Sequence, residues 1–170
     1  INFTKWTDTC REWKEDQWKE IIKLKENDDK PLHVLRVVKS IEEVFDENTM
    51  LCIDGGDTQA WTDSVYQTLN PGMYVKGGPL GCMGVGVPFA LGSKVAFPER
   101  QVALITGDGA IGMNLMEFET AVRHKIPFVC IVCNDQSWGM TKHQHWLTYG
   151  RENTPVGHEI PFISYNEIVK

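Results

Sequence analysis

The sequence has no long apolar run and no block of basic residues. None of its apolar stretches reaches the roughly 18 to 20 residues that cross a bilayer, and its start lacks the pattern of a signal peptide. The formal net charge of −6 at pH 7 is opposite in sign to what a surface that binds nucleic acid or anionic lipid requires. We therefore expect no nucleic acid and no membrane among the partners, and a cytoplasmic location.

A disulfide framework is also absent from the pattern of cysteines. Five cysteines are an odd number, and their scatter through apolar segments favours reduced thiols. Cys130 and Cys133 form a C-x-x-C pair, a spacing shared by redox and zinc sites. They lie in an apolar run that predicts a buried strand, where positions i and i+3 face opposite sides of the sheet. We interpret both as core residues, with a zinc or redox pair as the alternative.

The chain shows no internal repeat and no low-complexity tract. Its 170 residues suffice for one domain with a sizeable core and are few for two. It begins at Ile1 instead of methionine, and residues 166–170 have the pattern of an unfinished helix. We expect a piece of a longer protein, with a helical linker over residues 1–30 and one domain over residues 31–170 that lacks its last C-terminal elements.

Apolar stretches alternate with helical patterns along most of the chain. Strands are predicted over residues 50–53, 101–106 and 127–133. Helices are predicted over residues 6–26, from Pro31 onward, over the small-residue stretch that ends at Ala96, and over residues 113–124. Strands separated by helices predict an α/β domain whose parallel sheet is covered by helices on both faces. The polar segment 135–160 has no strong periodicity, and we interpret it as a long functional loop.

Polar and glycine residues follow three strands at their carboxyl ends, at residues 54–58, 107–109 and 134–137. Ligands bind at this edge of open α/β sheets. Residues 107–112 also fit G-x-G-x-x-G between a strand and a helix, which is the context of a dinucleotide fingerprint. Asp108, however, would place a carboxylate against the pyrophosphate, and the acidic residue expected about 20 positions later is absent.

A divalent cation would make Asp108 compatible with a diphosphate, because Mg²⁺ is commonly held by carboxylate and phosphate oxygens together. A second ligand should then end a neighbouring strand. Asp135 does so, and residues 110–133, which number 24, are about what is needed to return to the same edge. The residues therefore predict a diphosphate site bridged by Mg²⁺ between Asp108 and Asp135.

These residues resemble a known cofactor motif. Gly107-Asp108-Gly109, the spacer and Asn134-Asp135 resemble the thiamine-diphosphate motif, which reads G-D-G, a spacer and N-N. The glycine-dense segment 78–88 is similar to the stretch that precedes this motif in acetolactate synthase. Segments 54–58 and 136–140 are similar to stretches of benzaldehyde lyase. The resemblance implies the diphosphate- and Mg²⁺-binding domain of a thiamine-diphosphate enzyme that decarboxylates or ligates 2-oxoacids or cleaves carbon–carbon bonds.

The resemblance also implies roles for individual residues. Mg²⁺ would be bound by the side chains of Asp108 and Asp135 and by the backbone carbonyl of Ser137. The diphosphate would be bound by the motif residue Gly107, by the backbone N–H groups of Gly109, Ala110 and Ile111, and by the Thr58 hydroxyl and the backbone near Gly56. Asn134 would support the turn. A helix cap for Thr58 and a plain turn residue for Asn134 are the alternatives.

The glycine-dense segment would hold the rest of the cofactor. By the resemblance, Met83 wedges under the thiazolium ring, while its N–H and the Gly81 carbonyl bind the aminopyrimidine edge. An ordinary core methionine is the alternative. No catalytic residue is expected here, because the activating Glu of such enzymes lies on a pyrimidine-binding domain. That domain is expected from another subunit of a homo-oligomer, with a small 2-oxoacid, 2-hydroxyketone or acyl-CoA-type substrate.

Some positions depart from the family pattern. Asp135 stands where the motif has a second Asn, and Ala110 stands where Ser is common. Asp57 lies near the phosphate side without an evident cation, so we expect it to point into solvent. His143 and His145 are interpreted as surface residues, with substrate binding or proton transfer as the alternative. For the whole chain, the alternatives are a small subunit of a split 2-oxoacid decarboxylase, a dinucleotide-binding domain and a module used only in assembly.

Overall fold

The computed structural model describes residues 3–68, 70–153 and 156–170. The helices are α1 (Thr4–Glu26), α2 (Val34–Val44), α3 (Asp57–Val65), α4 (Gly86–Ala96), α5 (Asp108–Ile111), α6 (Glu117–His124), α7 (Gly139–Tyr149) and α8 (Tyr165–Ile168). The strands are β1 (Met50–Asp54), β2 (Tyr74–Val75), β3 (Val102–Gly107) and β4 (Val129–Cys133). A 3₁₀ turn covers Gly78–Leu80.

The four strands form one parallel sheet in the order β2-β1-β3-β4. In the register, Asp54 lies beside Thr106, and Gly107 lies beside Cys133. The carboxyl ends of β1, β3 and β4 therefore meet at one edge, as the sequence predicted for a ligand-binding edge.

Helices cover both faces of the sheet, and each face has its own apolar cluster. On one face, Cys52 and Leu104 pack with α4 residues such as Ala90. On the other face, Ile53 and Ile105 pack with α2 and α3. Neighbouring strand residues alternate between the clusters because side chains point to opposite faces along a strand. The predicted α/β class with two covered faces is confirmed.

The C-x-x-C pair is split between the two faces. Cys130 packs against the first cluster and Cys133 against the second, as the strand geometry predicted. Burial raises the pKa of Cys130 to about 12 and that of Cys133 to about 11, so both thiols stay protonated near neutral pH. The strand was predicted as buried, but β4 ends the row of strands and its side chains are only half-buried apart from the exposed Val129.

The two N-terminal helices pack on the second face. The C-terminal half of α1 contributes Trp18, Ile21 and Leu24 to that cluster, while its N-terminal half is exposed. The second helix begins at Val34 and not at Pro31, because His33 is its N-cap and accepts a hydrogen bond from the Leu35 N–H at 3.2 Å. Among the described residues, no helix has the length and apolar character to cross a membrane.

Two further predictions of local structure were wrong, and one strand was missed. Residues 139–149 form helix α7 and not a loop, and none of its residues is buried, which explains the weak apolar periodicity. The helix predicted from residue 113 begins at Glu117, after a series of tight turns. Strand β2 was not predicted because two residues carry no recognisable pattern.

Candidate functional site

Glycines allow the ends of β1 and β3 to touch. A Cβ added to Gly55, whose φ is +101°, would lie 3.2 Å from the backbone nitrogen of Gly107. A Cβ on Gly107 would in turn lie 3.3 Å from the Thr58 hydroxyl. Both positions therefore favour glycine, because the backbones approach more closely than most side chains permit.

Asp108 is a buried carboxylate at the end of β3, with only 3% of its surface exposed. Its Oδ1 accepts a hydrogen bond from the Gly109 N–H at 2.8 Å, while Oδ2 has no hydrogen-bond partner among the described residues. Burial raises the pKa of this carboxyl and the charge of Asp135 adds to the rise, although backbone N–H groups partly oppose it. A carboxyl oxygen that is buried and has no hydrogen-bond partner fits a metal ligand.

The loop after β4 faces Asp108. The backbone N–H groups of Gln136 and Ser137 are among those that favour the Asp108 charge. Asp135 Oδ2 accepts a hydrogen bond from the Ser137 hydroxyl at 2.8 Å. The structure therefore brings together the three residues that were predicted to hold a metal, and each offers oxygen, the ligand atom that Mg²⁺ prefers.

This donor set is incomplete without a ligand. Among the residues that the structure describes, no group of three or more His, Cys, Asp or Glu side chains is arranged to hold a metal ion. The predicted set has only two carboxylates and one carbonyl. Mg²⁺ is commonly bound by one or two carboxylates together with phosphate oxygens and water, so the set fits an ion that arrives with a diphosphate.

Helix α5 begins directly at Asp108. Ala110 and Ile111 lie in its first turn, where backbone N–H groups have no partner within the helix. A Cβ on Gly109 would lie 2.7 Å from the ring of Trp138, so this position has no room for a side chain. The Trp138 ring therefore packs against the start of α5, beside the predicted diphosphate donors.

Thr58 is not the cap of α3. The N-cap is Gly56, and Thr58 is the second residue of the helix, 6% exposed. A hydrogen bond from Thr58 lowers the pKa of Cys133, against the larger effect of burial. Thr58 thus lies between the ends of β1 and β4, next to Gly107. A Cβ on Gly56 would lie 2.8 Å from Met140 of α7, so α7 packs over the carboxyl end of β1.

Asp54 fastens the glycine-dense segment to the sheet. Its buried carboxylate accepts hydrogen bonds from the N–H groups of Gly84 at 3.3 Å and Gly86 at 2.7 Å. Burial raises the Asp54 pKa, and these N–H groups oppose the rise. No role for Asp54 was predicted from the sequence. The available signal was an acidic residue that ends an apolar strand, 30 residues before Gly84.

Met83 belongs to the same segment and does not join either apolar cluster. It is 38% exposed and lies beside Gly84 at φ +82°, while Gly81 adopts a left-handed conformation with φ +60°. A β-branched or bulky residue would be strained at either glycine. The described contacts therefore do not favour the core alternative for Met83.

Asp57 was expected to point into solvent, but it pairs with a histidine. Its Oδ2 lies 2.6 Å from Nδ1 of His143 on α7. His143 is half-exposed, and its ring also lies near Trp146 at a centroid distance of 5.5 Å. This pair joins the start of α3 to α7. His145 instead lies against Tyr149, with ring centroids 4.7 Å apart.

The C-terminal segment is joined to the site by two hydrogen bonds. The Asn134 side chain donates a hydrogen bond to the Ile163 carbonyl at 3.1 Å, so it does more than shape a local turn. The Tyr165 hydroxyl donates to the Asp108 carbonyl at 3.0 Å. These contacts join residues 29 and 57 positions apart, and no local motif predicts them.

Comparisons with known proteins agree with this geometry. The family described as "Thiamine pyrophosphate enzyme, C-terminal TPP binding domain" matches residues 54–170. The acetolactate synthase large subunit IlvG of Mycobacterium tuberculosis is 36% identical over 140 residues, which are 82% of this chain and 25% of that protein. The human 2-hydroxyacyl-CoA lyase 2 is 40% identical over 107 residues, which are 63% of this chain and 17% of that protein.

A solved structure shares the fold. The thiamine diphosphate-dependent 4-hydroxybenzoylformate decarboxylase of Rhodococcus jostii RHA1 superposes with a TM-score of 0.75 at 21% identity, over 84% of this chain and 27% of that one. The chain thus spans about a quarter of the length of the acetolactate synthase that it matches. The family match leaves the dinucleotide alternative without support. The chain belongs to the thiamine pyrophosphate enzymes and is their C-terminal, thiamine-pyrophosphate-binding domain.

Proposed function

We propose that this domain holds the diphosphate of thiamine diphosphate through a Mg²⁺ ion bound by Asp108, Asp135 and the Ser137 carbonyl. The observation that carries the proposal is Asp108 Oδ2, a buried carboxylate oxygen without a hydrogen-bond partner among the described residues. Such an oxygen destabilises the fold unless a cation pairs with it. A dication between this oxygen and the diphosphate pairs with the buried oxygen and removes the repulsion between the carboxylate and the phosphates.

The other candidate residues surround this ion. Gly107 allows close approach, the N–H groups of Gly109, Ala110 and Ile111 face the diphosphate from the first turn of α5, and Thr58 and the Gly56 backbone lie at the neighbouring strand end. Asn134 holds the metal-binding loop to the C-terminal segment. Gly81 and Met83 lie on the segment that Asp54 fastens to β1 and are proposed to contact the thiamine rings.

The domain binds and orients the cofactor and does not carry out the reaction by itself. When bound, thiamine diphosphate supplies a carbon nucleophile and an electron sink for the substrate carbonyl carbon. The activating Glu is proposed to come from a pyrimidine-binding domain of the same enzyme, contributed by another subunit of a homo-oligomer. Residues 31–170 would form the cofactor domain and residues 1–30 a helical linker.

The whole protein is proposed to be an acetolactate synthase-like lyase or transferase of the cytoplasm. Its substrate would be a small 2-oxoacid, a 2-hydroxyketone or an acyl-CoA-type compound. The named relatives support this range, since they include acetolactate synthases and 2-hydroxyacyl-CoA lyases.

Calorimetry with the protein that contains this domain tests the metal-bridged site. Thiamine diphosphate should bind with Mg²⁺ present and bind at least about tenfold more weakly with a chelator, because the phosphates then face bare carboxylates. Asp108→Ala should abolish the part of the cofactor affinity that depends on the metal. Asp16→Ala, on exposed α1, should bind like the parent. Equal affinity with and without chelator would overturn the proposal.

A further inference from the structure

A lysine contacts the proposed metal-binding loop. Lys142, in α7, donates a hydrogen bond to the Ser137 hydroxyl at 2.6 Å, and its ammonium lies 3.4 Å from Asp135 Oδ2. The ammonium also lies 5.6 Å from the centre of the Trp146 ring, within the range of a cation–π contact. Its side chain is 16% exposed, so packing holds this cation in place and little of the side chain contacts solvent.

Among the described residues, the hydrogen bonds and the ion pair of Asp135 all use one of its oxygens. Oδ2 receives the Ser137 hydroxyl and the Lys142 ammonium. Among the described residues, no hydrogen bond to the other oxygen, Oδ1, is found. Lys142 and Ser137 therefore fix the orientation of the carboxylate through Oδ2 while Oδ1 remains available for another ligand.

The local charges set up a competition between two ligands. Asp108 and Asp135 carry two negative charges beside the proposed ion, and Lys142 carries one positive charge. A more negative site attracts a free dication more strongly but repels a diphosphate more strongly. The charge of Lys142 thus opposes binding of the bare metal and favours binding of the diphosphate that accompanies it.

We propose that Lys142 is a positioning residue that cancels the charge of Asp135, so that the pair presents one oriented oxygen ligand with no net charge and makes the site selective for metal together with diphosphate. This rests on the metal-bridged site proposed above. It assigns to Lys142 an effect on two affinities in opposite directions, which loss of packing alone does not produce.

A double-mutant cycle tests the pair in the protein that contains this domain. Lys142→Met, Asp135→Asn and the double variant are compared with the parent by two titrations. Mn²⁺ binding alone is followed by electron paramagnetic resonance, and thiamine diphosphate binding at saturating Mn²⁺ is followed by calorimetry. Lys19→Met, whose lysine lies on exposed α1, serves as the matched control.

The expected shifts have opposite signs. Lys142→Met should bind Mn²⁺ about threefold more tightly and thiamine diphosphate about threefold more weakly, as expected for one charge at a partly solvated site. The double variant should return to within about twofold of the parent in both titrations, because removing both charges restores the net charge of the site. Asp135→Asn alone should weaken Mn²⁺ binding.

Two results would overturn the inference. If Lys142→Met changes neither affinity, the lysine does not affect the site. If the double variant binds diphosphate as poorly as Lys142→Met, the lysine contacts phosphate directly and does not act through Asp135. Failure of the proposed function is separable from both, because the parent would then bind thiamine diphosphate without a metal requirement while the Mn²⁺ titration still reports on the pair.

Discussion

Burying the Asp108 carboxylate destabilises the fold when no cation is bound. The pKa of this group is raised mainly by burial, so ionisation is less favourable in the folded chain than in the unfolded one. The resulting loss of stability is absent below the ordinary pKa of 3.8 and grows as the pH rises toward the folded-state pKa. Above the folded-state pKa, the metal-free domain carries this penalty in full.

Replacing this carboxylate should stabilise the metal-free protein. Asp108→Asn removes the buried charge, and we expect the free energy of unfolding at pH 7 without metal to rise by about 1 kcal/mol. The gain should disappear as the pH falls toward the ordinary carboxyl pKa, because Asp108 is then protonated. Urea unfolding at several pH values in the presence of chelator measures this difference.

The matching control is Asp16→Asn, since Asp16 lies on exposed α1. It should leave the unfolding free energy unchanged within a few tenths of a kcal/mol at each pH. An Asp108→Asn variant that is less stable than the parent at pH 7, or one whose difference does not depend on pH, would contradict the electrostatic account of Asp108.

Single residues were predictable where the chemistry was local. Asp108 was singled out because a carboxylate among glycines is incompatible with a bare diphosphate, and the C-x-x-C pair because strand geometry separates its sulfurs. The role of Asp54 was not predicted, since two of the backbone N–H groups that donate to it lie on a segment 30 or more residues away. The pairing of Asp57 with His143 was missed because it depends on where α7 lies.

At the scale of elements, short α5 depends on α8 for support. α5 has four residues, too few for a stable isolated helix. The Tyr165 hydroxyl of α8 donates to the Asp108 carbonyl within the protein interior. This contact fixes the residue that begins α5, and with it the carboxylate and the N–H groups proposed to bind the diphosphate.

Removing this hydroxyl should weaken the site as well as the fold. We expect Tyr165→Phe to lower the free energy of unfolding by about 1 kcal/mol, because the Asp108 carbonyl loses the tyrosine donor and, among the described residues, keeps only the Gly112 N–H at 3.3 Å. Thiamine diphosphate affinity with Mg²⁺ should fall severalfold as α5 loosens. Thermal unfolding and calorimetry report the two effects.

Tyr149→Phe is the matched comparison, because Tyr149 is 61% exposed and the substitution is chemically identical. It should change neither quantity measurably. If the two tyrosine variants behave alike, Tyr165 has no special role in holding α5.

The elements that formed as predicted are those with an apolar pattern. The strands β1, β3 and β4 and the helix α4 were recognised by apolar runs and small residues. In contrast, α7 buries none of its residues and so shows no periodicity. Its place over the strand ends is fixed by contacts such as Met140 with Gly56 and Trp138 with Gly109, which local sequence does not reveal.

At the scale of the molecule, the sheet order determines where the site lies. Because β1, β3 and β4 are neighbouring parallel strands, their polar carboxyl ends converge without any further folding rule. This arrangement was predictable from alternating strands and helices. The support by residues 160–168 was not, since it arises from packing between the last segment and the end of β4.

Anomalous diffraction at the manganese edge would locate the proposed ion in crystals of the protein grown with thiamine diphosphate and Mn²⁺. We expect one strong peak at about 2.1 Å from Asp108 Oδ2 and from an oxygen of Asp135, as is usual for an oxygen-bound octahedral ion. The Ser137 carbonyl, the diphosphate and water should complete the coordination. A bound cofactor with no ion between it and Asp108, or an ion held elsewhere, would contradict the claim.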